Sequence, residues 1–213
     1  IKVDQDRAYI LYLINNYQDS ILQCNKILTA DDNNVHALST LGLCLLKLER
    51  YDEANKVLLK AISLDNQNIV ILNSLGRLNH ELRKSKEAES FFDKAFALNP
   101  NSFETLNNMA GFYLEEEKYQ KAINFYKKAA NLKPNNPILI NNIAKTFMCL
   151  HDVGEAEKHC RRAISIDQKN NEFKKILALI LLKKYDFKNA WLSFDGRLSL
   201  SDFANKNSTL KLV

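Results

Sequence analysis

The chain has 213 residues, 46% of them hydrophobic, with only 5 Gly and 3 Pro. That balance, rich in Leu, Ala, Lys, Glu and Asn, favours an all-helical protein and excludes disordered, collagen-like and disulfide-rich classes. A net charge of +5 is mild, and no Lys/Arg block is long enough to read as a nucleic-acid arm.

Read in order, the text repeats itself every 34 residues without insertion or deletion. Six registers follow: 1–34, 35–68, 69–102, 103–136, 137–170 and 171–204. The eighth position holds Ala8, Gly42, Gly76, Ala110, Ala144 and Ala178. The twentieth holds Ser20, Ala54, Ala88, Ala122, Ala156 and Ala190. The twenty-seventh holds Ile27, Ala61, Ala95, Ala129, Ala163 and Arg197. The eleventh is large in Leu11, Leu45, Tyr113, Phe147 and Leu181, with Asn79 the exception. An internal period overrides the prior from length, because a repeat array grows by stacking and needs no single large core.

The spacing has a physical cause. Each unit reads as an antiparallel helix pair, and small residues at fixed places let two backbones approach. In the fourth unit the pattern predicts helix A over about Glu104–Glu116 and helix B over about Gln120–Leu132. Phe125, Tyr126 and Leu132 are expected to fill the groove between pairs. Tyr17, Tyr51, Tyr119 and Phe187 open the turn between helices. Joints such as Asn99-Pro100-Asn101 stop one helix B and start the next A, and Pro137 suits a first helical turn.

These positions, with Pro100 and Pro134 near the thirty-second place, resemble the tetratricopeptide repeat family over about the whole chain. The resemblance implies an all-α, right-handed superhelical solenoid of about six helix-turn-helix repeats. It also implies a concave groove, walled by the A helices, that binds protein. The ends are atypical: Arg7 stands at a usually apolar seventh position, and Arg197 is expected to end the array. The array is read as 1–200 and residues 201–213 as a tail or linker.

Nothing in the text points to an enzyme. There is no Gly-rich phosphate loop, no GxSxG and no HExxH, and His36, His80, His151 and His159 are scattered. No cofactor is called for. Cys24, Cys44, Cys149 and Cys160 form no CxxC pair and read as free thiols, so a reducing, cytoplasmic setting is expected. No apolar run approaches the ~20 residues that span a bilayer. The start at Ile1 rather than Met, with no signal-peptide pattern, reads as part of a longer protein.

Positions two, five, six, nine, twelve and thirteen of each A helix are expected to face the groove. The fifth is Asn73, Asn107 and Asn141 in successive repeats, and the sixth is Asn108 and Asn142. Asn is a poor helix former, so its recurrence asks for a cause. A row of amides can donate to and accept from the backbone of an extended peptide. Arg77 and Lys145, at the ninth position, would add charge for an acidic segment. Against this stands the plain abundance of Asn in the chain.

Two further resemblances bear on function. The Asn row is similar to the arrays of O-linked N-acetylglucosamine transferases, where groove asparagines grip substrate chains. Ala190, Trp191, Phe194, Asp195 and Arg197 resemble a closing element found in bacterial repeat proteins, often before a glycosyltransferase domain. The carboxylate-clamping chaperone pattern, with Lys at five and Asn at nine, is absent. The leading expectation is a binding scaffold for a protein or extended peptide. The alternatives are the recruiting arm of a larger transferase, or a self-assembling array in which a homodimer forms.

Overall fold

The computed structural model describes residues 2–194, and within them the chain is all-helical. It divides into two compact units, one reaching Phe112 and the other starting at Tyr113. The division falls inside a helix A, not at a repeat joint. Twelve helices alternate between A and B types among the described residues. The first unit contains α1 (Lys2–Leu13), α2 (Tyr17–Ala30), α3 (Val35–Lys47), α4 (Tyr51–Leu64), α5 (Ile69–Glu81) and α6 (Ser85–Leu98). Helix α7 (Phe103–Glu115) carries the boundary. The second unit continues with α8 (Tyr119–Leu132), α9 (Pro137–Cys149), α10 (Val153–Ile166), α11 (Asn171–Lys183) and α12 (Phe187–Phe194). These are about six tetratricopeptide-type helix pairs, and the fourth lies within one residue of its expected bounds. Arg197 and the tail 201–213 lie outside the described residues.

The A-to-B turn is closed by backbone alone. In each repeat the sixteenth amide donates to the eleventh carbonyl: Arg50 N–H to Leu45 C=O at 2.9 Å and Lys84 N–H to Asn79 C=O at 2.8 Å. The fifteenth amide donates to the twelfth carbonyl, as Arg83 to His80 at 2.9 Å. This pair of bonds is a Schellman motif, and it requires a left-handed residue between them. That residue is never Gly here. Asn15, Glu49, Arg83, Glu117, His151 and Tyr185 all have φ between 58° and 62°. Left-handed backbone is costly for L-residues, so the turn geometry is imposed by the packing of the helices on either side.

The B-to-A joint is closed by side chains. Asn34, Asn68, Ser102, Asn136 and Asn170 each accept a hydrogen bond from an amide in the first turn of the next helix A. Three residues earlier, Asp31, Asp65, Asn99 and Asp167 accept from the amide two residues on. Asx turns and N-caps of this kind satisfy donors that helix termini leave unmet. The B helices are treated less evenly. Asn16 and Asp152 cap α2 and α10, but Arg50, Lys84 and Lys118 stand before α4, α6 and α8 with no side-chain cap.

Packing within a pair follows from the eighth position. A Cβ on Gly42 would lie 2.7 Å from Leu58 Cγ, and one on Gly76 would lie 2.6 Å from Phe92 Cε1. Leu58 and Phe92 are themselves fully or almost fully buried, at 0% and 1% exposure. Where the twenty-fourth residue shrinks to Cys24 or Cys160, the eighth grows to Ala8 or Ala144, and all four are buried. Ser20, the odd residue at position twenty, is satisfied inside: its hydroxyl donates to Ala8 C=O at 2.7 Å and lies 3.1 Å from the Cys44 thiol. Tyr126 is buried as expected, but Leu132 is exposed, because it ends α8 beyond the packed face.

Gly76→Ala should destabilise the protein by about 1–2 kcal/mol, since overpacking against the Phe92 ring outweighs the helix-propensity gain. Gly154→Ala, whose Cβ would meet only Asp152 Oδ1 at 3.7 Å, should instead raise stability by about 0.5 kcal/mol. Arg83→Gly should stabilise by about 0.5–1 kcal/mol by relieving the left-handed turn. Urea unfolding of the three variants checks all three signs.

Candidate peptide-binding groove

In the first unit, the A helices line a groove of about 410 Å³. Helix α1 contributes Tyr9 and Tyr12, and α3 contributes Leu43. Helix α5 contributes Asn73, Ser74 and Arg77, while α7 and its cap contribute Ser102, Glu104, Asn107 and Asn108. The aromatic wall is ordered by stacking: the Tyr9 and Tyr12 rings lie 6.0 Å apart with 26° between planes.

Asn73 is the unusual member. It is 6% exposed, and its Nδ2 donates to Thr105 Oγ1 at 2.9 Å. Its Oδ1 is buried and has no hydrogen-bond partner. A buried polar atom left unpaired is uncommon in folded proteins and costs on the order of 1–3 kcal/mol. Ser74, its neighbour, is satisfied through Val70 C=O at 2.7 Å.

Arg77 is half-buried and makes no hydrogen bond or ion pair among the described residues. Its charge is felt nearby. Burial raises the Tyr12 phenol above its ordinary value, and Arg77 partly opposes that rise. Burial lowers the Lys47 ammonium, and the like charge of Arg77 lowers it further. Lys47 likewise has no hydrogen-bond or ion-pair partner among the described residues. Arg77 and Glu104 therefore line the groove with opposite charges, and Lys47 stands exposed in the last turn of α3.

The expected row of open amides is only partly realised. Asn107 and Asn108 are half-buried and line the groove. Asn73 and Asn141 turn inward instead, at 6% and 2% exposure. Asn141 belongs to the second unit, where its Oδ1 lies 3.9 Å from the Cys160 thiol. Burial pushes that thiol up to about 12, so it stays protonated. Asn142 and Lys145 are half-buried on α9, also in the second unit. Tyr9 and Tyr12 were missed in the sequence, although they occupy positions nine and twelve of their repeat. The register rule that selected the amides would have selected them too.

Of the residues in the closing element, Ala190 is buried and Trp191 is 45% exposed. Trp191 thus covers the last pair only in part, and Asp195 and Arg197 lie outside the described residues. Among the described residues no group of three or more His, Cys, Asp or Glu could hold a metal. No described helix is long and apolar enough to cross a membrane.

The helix pairs and the groove on their A face define a helical repeat scaffold rather than a catalytic pocket. Comparison with known proteins narrows this. Residues 113–180 and 91–124 each match a tetratricopeptide repeat family, and residues 14–95 match the anaphase-promoting complex, cyclosome, subunit 3 family. The chain is a tetratricopeptide repeat protein, a scaffold type used for protein interactions.

Solved structures agree on the fold. PilW, described as a widely conserved type IV pilus biogenesis factor, matches with a TM-score of 0.82 and 17% identity, over 96% of this chain and 97% of that one. Pseudomonas aeruginosa PilF matches with a TM-score of 0.73 and 17% identity, over 97% and 96%. A MamA protein matches at 0.58 and 23% identity, over 80% and 93%. At these identities the likeness is one of fold. These neighbours are bacterial repeat proteins, not glycosyltransferase-linked arrays, and none of the matching families is an enzyme family. No curated protein sequence matches the chain.

Asn141→Ala should lower stability by about 1 kcal/mol, because it empties a buried polar site. Asn107→Ala, on the half-open face, should change stability by less than about 0.5 kcal/mol. Thermal unfolding of the two variants side by side tests the assignment of inward and outward amides.

Proposed function

We propose that this protein binds an extended segment of a partner protein along the A-helix face of its first unit. The single observation that carries the reading is the groove lined by α1, α3, α5 and α7, with the half-buried Asn107 and Asn108 in its wall. Asn107 and Asn108 would hold neighbouring carbonyls and amides, since each primary amide both donates and accepts. Tyr9 and Tyr12 give a flat apolar surface for a side chain.

Asn142 and Lys145, half-buried on α9, are proposed as a second contact region on the A-helix face of the second unit. Asn141 is proposed to act through packing. The free state of all four cysteines, three of them buried, fits a reducing compartment such as the cytoplasm.

The experiment is peptide display on the immobilised protein, followed by affinity measurement of selected peptides in solution. Replacing Asn107 and Asn108 together with Ala should weaken the selected peptides by about tenfold to a hundredfold, the loss of two or so hydrogen bonds. If every selected peptide binds the double variant with unchanged affinity, the groove is not the binding site.

A further inference from the structure

Each helix A after the first meets two B helices: its own partner and the one before it. Position ten makes part of that second contact. Cys44 Sγ lies 3.1 Å from Ser20 Oγ on the preceding α2, and the Phe112 ring lies 5.6 Å from that of Phe92 on the preceding α6. Position three makes another part: the Cys160 thiol on α10 donates to Phe173 C=O on α11 at 3.3 Å. Both positions are closed in every later repeat. Ala37, Ile71, Thr105, Leu139 and Phe173 at position three are all 3% exposed or less. So are Cys44, Leu78, Phe112, Thr146 and Ile180 at position ten. In the first repeat the same places hold Val3, 79% exposed, and Ile10, 56% exposed. A spacing of seven puts both on one side of α1. Two apolar side chains thus stand in water on the face that every later repeat uses to receive a helix B.

The far end offers the matching half. Position seventeen of helix B is half-buried in Tyr17, Tyr51, Ser85, Tyr119 and Val153. Val153 packs against the buried cluster to which the following α11 gives Ile176, Leu177 and Ile180. On α12 the same position is Phe187, 64% exposed, and Trp191, one turn on, is exposed as well. We infer that the protein associates head to tail, the α1 face of one copy docking against α12 of the next. The partner is a second copy because one chain carries both halves of a contact that it already makes between its own repeats. Among the described residues, each half is left open once. A two-fold pairing would set α1 on α1 or α12 on α12, whereas each internal joint sets A on B. Arg7 stands between Val3 and Ile10, at a place that is Leu41, Leu75, Met109, Ile143 and Leu177 elsewhere. That charge is partly dehydrated on docking, so the contact is weaker than an internal joint and reversible. Being heterologous, it leaves a free end on every open assembly and does not stop at two copies. Neither Val3 nor Ile10 lines the groove, so the inference is independent of the peptide reading.

The test is sedimentation velocity of the full chain. Over roughly 1–300 μM the weight-average mass should climb past the dimer, as expected of a reversible contact of micromolar strength. Ile10→Glu and Phe187→Glu should each weaken self-association by about tenfold to a hundredfold, the scale of one large apolar side chain held out of water. Leu22→Glu, at a position exposed in every described repeat, should leave it unchanged. Circular dichroism confirms that each variant is folded. The decisive sample mixes the Ile10 and Phe187 variants. Each keeps one intact face, so the mixture should form a one-to-one dimer and nothing larger.

A mass that stays at the monomer, or stops at the dimer, overturns the inference. So does a mixture that stays monomeric, or grows past the dimer, while the parent chain associates. Association lost in the Ile10 variant but kept in the Phe187 variant assigns a two-fold contact through α1, and the reverse assigns one through α12. Either result overturns the head-to-tail contact. An equal loss in the Leu22 variant overturns it as well, since the attraction would then be indiscriminate between apolar surfaces.

Discussion

The distance between helix A and helix B of one repeat is the constraint on which the rest depends. It is set where the eighth residue faces the twenty-fourth. Gly42 under Leu58 and Gly76 under Phe92 leave no room for a methyl group. Ala8 and Ala144 occur where the twenty-fourth residue is Cys. In these four repeats the two positions trade volume; the fourth repeat is the exception, where Ala110 and Tyr126 are both buried. Interiors packed to crystal density enforce such trades, because a void and an overlap are both penalised. Once that spacing is fixed, helix A must end and helix B must begin within a few residues, whatever the turn sequence allows.

The turns show the consequence. All six A-to-B turns reach the same left-handed φ with Asn, Glu, Arg, His or Tyr in place of Gly. The turn does not direct the pair; the pair directs the turn. The B-to-A joint is different, since there the sequence does supply the local chemistry. An Asp or Asn followed three residues on by an Asn or Ser closes the joint with Asx turns and N-caps. One connection is made by tertiary force and the other by side-chain hydrogen bonds.

This difference explains what could be read in advance. The period, the helix pairs and the bounds of the fourth repeat were legible because they rest on residue size at fixed spacing. The left-handed turns were not, because nothing in Glu49 or Tyr185 announces positive φ. The abundance of Asn obscured the site for a related reason. Asn34, Asn68, Asn136 and Asn170 serve as caps, while Asn107 and Asn108 line a groove, and composition alone merges the two. Register separates caps from groove residues. It does not tell which groove amide turns inward: Asn73 does so because Thr105, on the next helix A, meets its Nδ2. Tyr9 and Tyr12 were within reach of register and were passed over because they do not recur.

Recurrence is a poor guide to binding in a repeat protein for a physical reason. Whatever repeats in every unit is what every unit needs in order to stack, and that is packing and capping. A ligand is not periodic, so the residues that select it must break the period. Tyr9, Tyr12 and Arg77 do so together along one groove. The rigid stacking around them makes the arrangement useful. Asn73 ties α5 to α7 through Thr105, and the half-buried Asn107 and Asn108 stand on that same α7. Side chains that the fold already holds in place lose less freedom on binding, so more of each contact counts toward affinity. The regular part of the array therefore contributes to recognition by holding its irregular part in place.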